Sequence, residues 1–576
     1  MKIKMAQINT TIGDLVGNAD KMISIIHASA GQTDIVVFPE LAITGYPPLD
    51  LIERQGFCDE QMEQVRRVVD ATSYNGIAVV FGTFHKNISG VGKPFYNSLV
   101  FAADGEIKTS YRKRLLPTYN IFDESRHFEP GHDVCVYAYK DERLGFLICE
   151  DMWNDKALTN KPLYTSNPVE DTVAAGAEII ISINASPSNV GKPEYRVEKF
   201  AAIAKFHNIP IIYVNQVGGN DDLVFDGTSF AINEEGDVLH VLKSFEEDDE
   251  TFETIRYDGR IMLGYVSSEQ NDALWGEFRP PMTPSEFYYR QIVLGIRDYT
   301  RKCGFKKAAI ASSGGVDSAL VMALAVAALG AENVEAITMP SKVSSEGSWK
   351  DSETLCKNLG IKLHTFNIID TFETMMEGFG KMTGVETKSL TKENTQARIR
   401  GTMLMAFTNQ FTDFFPLTTG NKSECAVGYC TIYGDMNGGL APIADLYKTE
   451  VWELCRYINK LAGKEVIPNV IIDKEPSAEL YEGQKDTNNL PPYPVLDSVL
   501  IPYIEGNEVD PKILEKCRTT VEAAGFTDFA KIHRMVDRAE FKRRQAAPTI
   551  RVHQKAWGFG RRMPIAQNHK PSGVLA

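Results

Sequence analysis

The sequence predicts an α/β protein of two domains, and three observations carry that prediction. The chain has 576 residues, whereas a single hydrophobic core stops growing at roughly 250–300 residues. Its first half repeats a short apolar run, a turn and a helical stretch. After a polar, Pro-containing segment at 266–283, a second strand–helix–strand pattern begins, as expected of layered α/β architecture.

The elements follow in order. The runs Asp34–Phe38, Ile77–Phe84, Leu144–Ile148, Glu178–Ile183 and Pro210–Val214 are rich in Ile and Val and nearly all apolar. They are too short for helices, so strands buried on both faces fit them. The acidic stretch Glu234–Glu253 reads as an exposed hairpin or loop. Thr283-Pro284-Ser285-Glu286 opens a helix, with Thr at the cap, Pro at the first helical position and Glu three residues on, a capping box. Strand Lys307–Ala311, helix Val316–Leu329 ended by Gly330, strand Val334–Met339, helix Glu346–Leu359 ended by Gly360 and strand Ile361–Ile368 then form a parallel, doubly wound beginning. Asp473–Pro492 is polar enough for a mobile surface loop. The expected boundaries are a first domain over 1–265, a linker over 266–283 and a second domain over 284–576.

Composition removes several classes of function. With 61 Lys and Arg against 76 Asp and Glu, the net charge is −15, a poor match to broad nucleic-acid or membrane binding. The longest apolar run, Ala319 to Leu329, falls well short of the ~20 residues of a membrane span. The N-terminus lacks the apolar stretch of a secretory signal. Nine scattered cysteines with no CxxC pair fit a reduced cytoplasm. The ten histidines do not fall at ligand spacing near Cys, which disfavours zinc.

Three reactive residues sit at the ends of expected elements in the first half. Glu40 follows IVVFP, Cys149 closes LGFLI, and Lys113 lies in YRKRLLPTY. A thiolate nucleophile needs a cation or a helix N-terminus nearby to lower its pKa. With a carboxylate base it meets the needs of covalent acyl transfer, and backbone N–H groups beyond Cys149 with the Lys113 ammonium would hold the oxyanion. Singly, each residue also has an ordinary reading: a buried Cys as packing, a Glu or Lys as solvated surface. In order, the segments VVFPELAITGYPP, YRKRLLPTYNIFDESRHF, FLICEDMW and NASPSNVGK resemble the nitrilase/amidase family over residues 1–265. That resemblance implies an α-β-β-α sandwich, with Glu40 as general base, Lys113 stabilising the tetrahedral intermediate and Cys149 as nucleophile. Its glutaminase branch implies glutamine binding at Tyr119, Ser186 and Lys192. Glu124 would be a supporting carboxylate, or a salt-bridge partner of Arg126.

In the second half, strand Lys307–Ala311 runs into Ser312-Ser313-Gly314-Gly315-Val316-Asp317-Ser318 and a helix. Two glycines let backbone approach an anion, and the helix start offers free N–H groups. The Asp317 carboxylate suits Mg²⁺ held against phosphate oxygens. The string is neither a Walker loop nor a GxGxxG fingerprint. It resembles the pyrophosphatase-loop ATPases, which split ATP to AMP and pyrophosphate. With ENTQAR at 393–398, TTGNKSE at 418–424, GYCTIYGDMNGGLAPIADLYK at 428–448 and EFKRRQAAP at 540–548, residues 284–576 resemble the NAD synthetases. This implies ATP contacts at Ser313, Gly314, Gly315, Val316, Asp317, Ser318, Thr419 and Lys448, and Mg²⁺ at Asp317 and Glu424. Deamido-NAD would meet Asn394, Arg398, Glu424, Tyr429, Ile432 and Lys542. Ile432 stands where shorter, ammonia-using relatives often carry Lys. The run 542–544 also reads as a solvated basic helix end, and Tyr429 and Tyr433 as core packing.

Joined, the halves resemble the glutamine-dependent NAD synthetases over the whole length. The resemblance implies that Cys149 frees ammonia from glutamine, and that ATP activates the nicotinate carboxylate of deamido-NAD for amidation to NAD. Since only neutral NH₃ is nucleophilic, the fusion leads us to expect an enclosed passage for ammonia. A cytoplasmic homo-oligomer, an octamer in relatives with this fusion, is also implied. Two rivals remain: a glutaminase feeding another adenylating enzyme, such as a tRNA-modifying one, and an inactive scaffold. The net charge and the lack of an RNA-binding appendage count against the first, and the retained Glu40, Lys113, Cys149 and SGGVDS against the second.

Overall fold

The computed structural model describes residues 1–73, 76–265, 281–506 and 509–570. The chain divides into two compact units. The first carries Met1–Asn220 and continues from Val224; the second carries Asp221–Leu223 and the chain from Met282 on. Most of the expected linker, 266–280, lies outside the described residues.

Among the described residues, the first unit holds two large mixed sheets. One has seven strands in the order Arg260–Tyr265, Asp248–Tyr257, Lys2–Gln7, Ile35–Val37, Ala78–Lys86, Phe95–Ala103 and Glu106–Arg112. The other has six: Val238–Val241, Phe230–Ile232, Ile211–Asn215, Ile179–Asn184, Glu142–Ile148 and Val136–Tyr139. Each has a parallel centre and antiparallel flanks. Alternation along the strands sorts the side chains. Ile35, Val37 and Val80 pack in one core with Phe146, Ile148 and Ile181 of the second sheet. Val36, Val79 and Phe81 point the other way, onto Ala19, Met22, Val65 and Val68 of two helices. A further helix, Lys192–His207, adds Val197, Phe200 and Ile203 to the second sheet's core. The result is the α-β-β-α sandwich. All five expected strand runs are strands, with ends that differ by at most two residues.

The acidic stretch at 234–253 is not an exposed hairpin. Val238–Val241 pairs with Phe230–Ile232 in one sheet, and Asp248–Tyr257 pairs with Lys2–Gln7 in the other. Asp249 and Glu253 lie on the face of their strand opposite Phe252, which is fully buried. Net acidity masked that alternation.

The second unit holds a four-stranded parallel sheet in the order Lys362–Thr365, Val334–Thr338, Lys307–Ser312 and Phe414–Leu417. In chain order this is 3-2-1-4, doubly wound, with its switch point between Lys307–Ser312 and Phe414–Leu417. Ligand crevices form beyond the carboxyl ends of strands at such a point. Helices Val316–Leu329 and Glu346–Leu359 stand as expected, and each ends at a glycine with positive φ. The helix from Pro284 is capped by the Thr283 hydroxyl, which accepts from Glu286 N at 3.3 Å. Glu286 itself pairs with Arg290.

The stretch 473–492 is not a detached surface loop. Lys474, Glu479, Gln484 and Asp486 line the crevice, and Asp486 is only 4% exposed. Its polar residues face ligand space and one another.

Candidate active sites

The first site collects at the ends of four strands. Glu40 follows Ile35–Val37, Asn97 lies in Phe95–Ala103, Lys113 follows Glu106–Arg112 and Cys149 follows Glu142–Ile148. Lys113 Nζ donates to Glu40 Oε1 and to Glu124 Oε1, both at 2.8 Å. Asn97 Nδ2 donates to Glu40 Oε1 at 2.7 Å, and Ala185 N to Glu40 Oε2 at 2.9 Å. Tyr46 OH donates to Glu124 Oε1 at 2.9 Å. Glu124 is thus joined to Lys113, while Arg126 pairs with Asp50.

Backbone conformation places these groups. Cys149 has φ +44° and Leu41 φ +47°, uncommon values that turn a chain sharply at a strand end. Asp151 steadies the Cys149 turn: it accepts from Ile148 N at 3.1 Å, from Arg114 N and Leu115 N at 3.1 and 2.8 Å, and from Tyr111 OH at 2.9 Å. One carboxylate therefore ties the residue before Cys149 to the two residues after Lys113. At Gly82 the strand runs so close to the Glu40 turn that a Cβ would lie 2.1 Å from Leu41 N.

Electrostatics correct one expectation. Burial, followed by the Glu40 charge, pushes the Cys149 thiol well above its ordinary range, and Lys113 opposes this without reversing it. The resting group is a thiol, and Glu40 is the carboxylate whose charge acts on it most strongly. Burial works against the Lys113 charge as well, yet Glu124 and Glu40 outweigh it and hold the ammonium protonated. Burial and the neighbouring Glu40 raise Glu124 to about 7 against the pull of Lys113.

Tyr119 and Lys192 gather around a residue the sequence did not single out. Glu150 accepts from Tyr119 OH at 3.0 Å and Tyr164 OH at 3.0 Å, and the Lys192 charge favours its ionised form although burial raises its pKa. Lys192 Nζ stands 4.0 Å from the Trp153 ring centroid. Ser186 is buried, and its N–H donates to Asn215 Oδ1 at 2.8 Å. It follows Ala185, whose N–H reaches Glu40. Asn97, Tyr46 and Tyr164 also escaped the sequence reading. Only the place of Glu150 next to Cys149 gave a signal.

The second site is a cleft of about 510 Å³ at the switch point. Ser313, Gly315, Val316, Asp317, Ser318, Thr419, Lys448, Asn394, Glu424, Tyr429 and Lys542 all line it. Gly314 lies just behind: its φ is +75°, and a Cβ would lie 2.3 Å from Ser348 O, so only glycine fits the turn. Lys448 Nζ donates to Asp317 Oδ2 and, at 3.3 Å, to Glu424 Oε1. Asn421 Nδ2 donates to Asp317 Oδ1 at 2.9 Å. Burial, and the charges of Asp317 and Asp486, raise Glu424 to about 8 against Lys448. Two carboxylates, Asp317 and Glu424, around one cationic position offer the hard oxygen donors that suit Mg²⁺.

Other expected contacts fall elsewhere. Arg398 and Ile432 are not among the cleft-lining residues; Arg398 Nε donates to Ile432 O at 3.2 Å. Lys542 Nζ is engaged by Gly428 O and Cys430 O, both at 2.7 Å. Arg543 is buried against Glu540 and three backbone carbonyls, so the basic run is not a solvated helix end. Tyr433 is 62% exposed and bonds Gln545, so it is not core packing. Arg400, which the sequence reading passed over, lines the cleft and donates to Met339 O at 3.0 Å.

Comparison with known proteins gives two family matches: carbon-nitrogen hydrolase over residues 2–256 and NAD synthase over residues 288–546. The chain is 42% identical to a glutamine-dependent NAD(+) synthetase of Synechocystis sp. and 38% identical to one of Thermotoga maritima, each over 99% of both chains. It is similar to the solved glutamine-dependent NAD+ synthetase of Acinetobacter baumannii in complex with ADP, at 35% identity, with 98% of each chain covered and a TM-score of 0.75.

Proposed function

Because the chain belongs to the glutamine-dependent NAD(+) synthetases, we propose that Cys149, Lys113 and Glu40 free ammonia from glutamine and that the Asp317–Glu424 cleft activates deamido-NAD⁺. The enzyme is an ATP-dependent ligase that amidates deamido-NAD⁺ to NAD⁺. The observation that carries the assignment of roles is the presence, on one chain, of a buried Lys113–Glu40 pair beside Cys149 and of a glycine turn beside paired carboxylates at a sheet switch point.

In the first unit, Glu40 takes the thiol proton as Cys149 Sγ attacks the side-chain amide carbon of glutamine. Lys113, charged and nearly free of solvent, faces the oxyanion that forms. The proton passes to the leaving nitrogen, ammonia departs, and water hydrolyses the glutamyl thioester to glutamate. Tyr119, Ser186 and Lys192 bind the glutamine, and Glu124 keeps the Lys113 ammonium aimed.

In the second unit, a nicotinate oxygen attacks the α-phosphorus of ATP and pyrophosphate leaves. Ammonia then adds to the acyl-adenylate and AMP leaves, giving the amide. Ser313–Ser318, Thr419 and Lys448 hold the nucleotide, and Asn394, Tyr429 and Lys542 the dinucleotide. Asp317 and Glu424 would hold Mg²⁺, which when bound neutralises phosphate oxygens. Arg398 and Ile432 enter this reading only as a bonded pair outside the cleft. Assembly as a cytoplasmic homo-oligomer, an octamer by resemblance, belongs to the same reading; light scattering measures it.

Mass spectrometry of products from ATP, Mg²⁺, glutamine and deamido-NAD⁺ tests the whole. NAD⁺, AMP, pyrophosphate and glutamate are expected, and unchanged deamido-NAD⁺ would overturn the reading.

A further inference from the structure

We propose that Asp497, on the helix Tyr493–Glu505, is a positioning residue that sets where the Lys448 ammonium stands between Asp317 and Glu424; this rests on the reading of the second site above. Asp497 is 2% exposed, and a carboxylate buried this deeply persists only with hydrogen-bond partners. It has them. Ser423 Oγ donates to Asp497 Oδ1 at 2.5 Å, and Thr449 N donates to Oδ2 at 2.9 Å.

The Ser423 hydroxyl also accepts from Lys448 N at 2.9 Å, so the chain of bonds runs from the Lys448 backbone through Ser423 to Asp497 and returns through Thr449. Two segments start against this one carboxylate. The helix Lys422–Val427 carries Glu424 one residue after Ser423, and the helix Lys448–Ala462 begins with Lys448. Fixing 423 to 448 and 449 therefore fixes the separation of Glu424 from Lys448. From there Lys448 Nζ reaches Asp317 and Glu424. Neither Asp497, Ser423 nor Thr449 lines the cleft, so Asp497 acts through Lys448 and not on substrate. Placing the partial positive charge of the longer helix's first turn against Asp497 favours the same arrangement.

The test measures ammonia-driven NAD⁺ synthesis, which bypasses glutamine, in the full chain. Asp497→Asn and Ser423→Ala should each lower kcat by about tenfold to a hundredfold, the scale of a small misplacement of a catalytic group, with glutamine hydrolysis retained in the same samples. Ser423→Thr, which keeps the hydroxyl, should restore the rate. The double variant Asp497→Asn/Ser423→Ala should be no slower than either single one, because both cut the same chain of bonds. Wild-type kcat and KM for ATP in Asp497→Asn would overturn the proposal. So would losses that multiply in the double variant, or a loss matched by a fall in the folded fraction on calorimetry. If the wild-type chain itself forms no NAD⁺ from ammonia, the reading of the second site fails, not this one.

Discussion

Lys113 Nζ lies 2.8 Å from Glu40 Oε1, with neither side chain exposed to solvent. A buried ion pair of this kind is costly to desolvate, and here the cation is shared with Glu124, leaving two carboxylates on one ammonium. The cluster is therefore one unit: Glu40, Lys113 and Glu124, the proposed base, oxyanion cation and supporting carboxylate, are placed by each other.

Removing the proposed nucleophile should separate the two chemistries. Cys149→Ala should lower glutamine-driven NAD⁺ formation by at least about a thousandfold, the scale seen when a covalent nucleophile is deleted, while ammonia-driven formation persists. Parallel assays with the two nitrogen donors check this. Loss of both rates in a folded variant would contradict the separation.

Asp317→Asn is the mirror experiment. It weakens the proposed Mg²⁺ and phosphate contacts and leaves Lys448 with Glu424 as its one charged partner of the two, so ATP-dependent synthesis should vanish with either nitrogen donor. Glutamine hydrolysis should remain measurable. Normal NAD⁺ formation would remove Asp317 from the metal site.

The Glu424 carboxyl, raised to about 8 chiefly by burial, gives a pH signature. Its folded pKa exceeds the ordinary value of 4.5. The neutral form is thus favoured by folding, and its stabilising contribution, complete below the unfolded pKa, is lost as pH climbs through about 8. A metal needs the ionised form. Mg²⁺ affinity should fall by up to about tenfold per pH unit below that value. Calorimetric titration of MgATP between pH 6.5 and 8.5, with Glu424→Gln as the control that flattens the slope, reads it.

Arg196 and Asp226 are both fully buried and bond at 2.5 Å. Arg196→Met strands a buried carboxylate, at a cost of about 3–5 kcal/mol. Urea unfolding should show that shift, and Asp226→Leu added to it should recover most of the loss. Additive destabilisation by the second change would count against the pair.

Much of this was legible in the sequence because its signals are local. Short, nearly continuous apolar runs mark the buried strands, and SGGVDS needs only its own strand and helix to be recognised. Glu150, Asn97 and Tyr46 were not legible, for different reasons. Glu150 lies beside Cys149, but its meaning comes from Tyr119 and Tyr164, 31 and 14 residues away. Asn97 sits in a strand with no motif and matters only because Glu40 ends opposite it. Asp497 gave no signal either, because its partners Ser423 and Thr449 are 74 and 48 residues distant. Arg398 is the opposite case: it belongs to a motif, and the partner of its guanidinium, Ile432 O, lies 34 residues away.

Gly82 has one more consequence. Its hydrogen sits where any methyl would push into the turn that presents the proposed base, so the position of Glu40 is dictated partly by an atom that is not there. A saturation library at codon 82, selected for NAD⁺ supply from glutamine alone, should return a single amino acid. A relative bearing anything larger there would have to carry its base on a differently shaped bend.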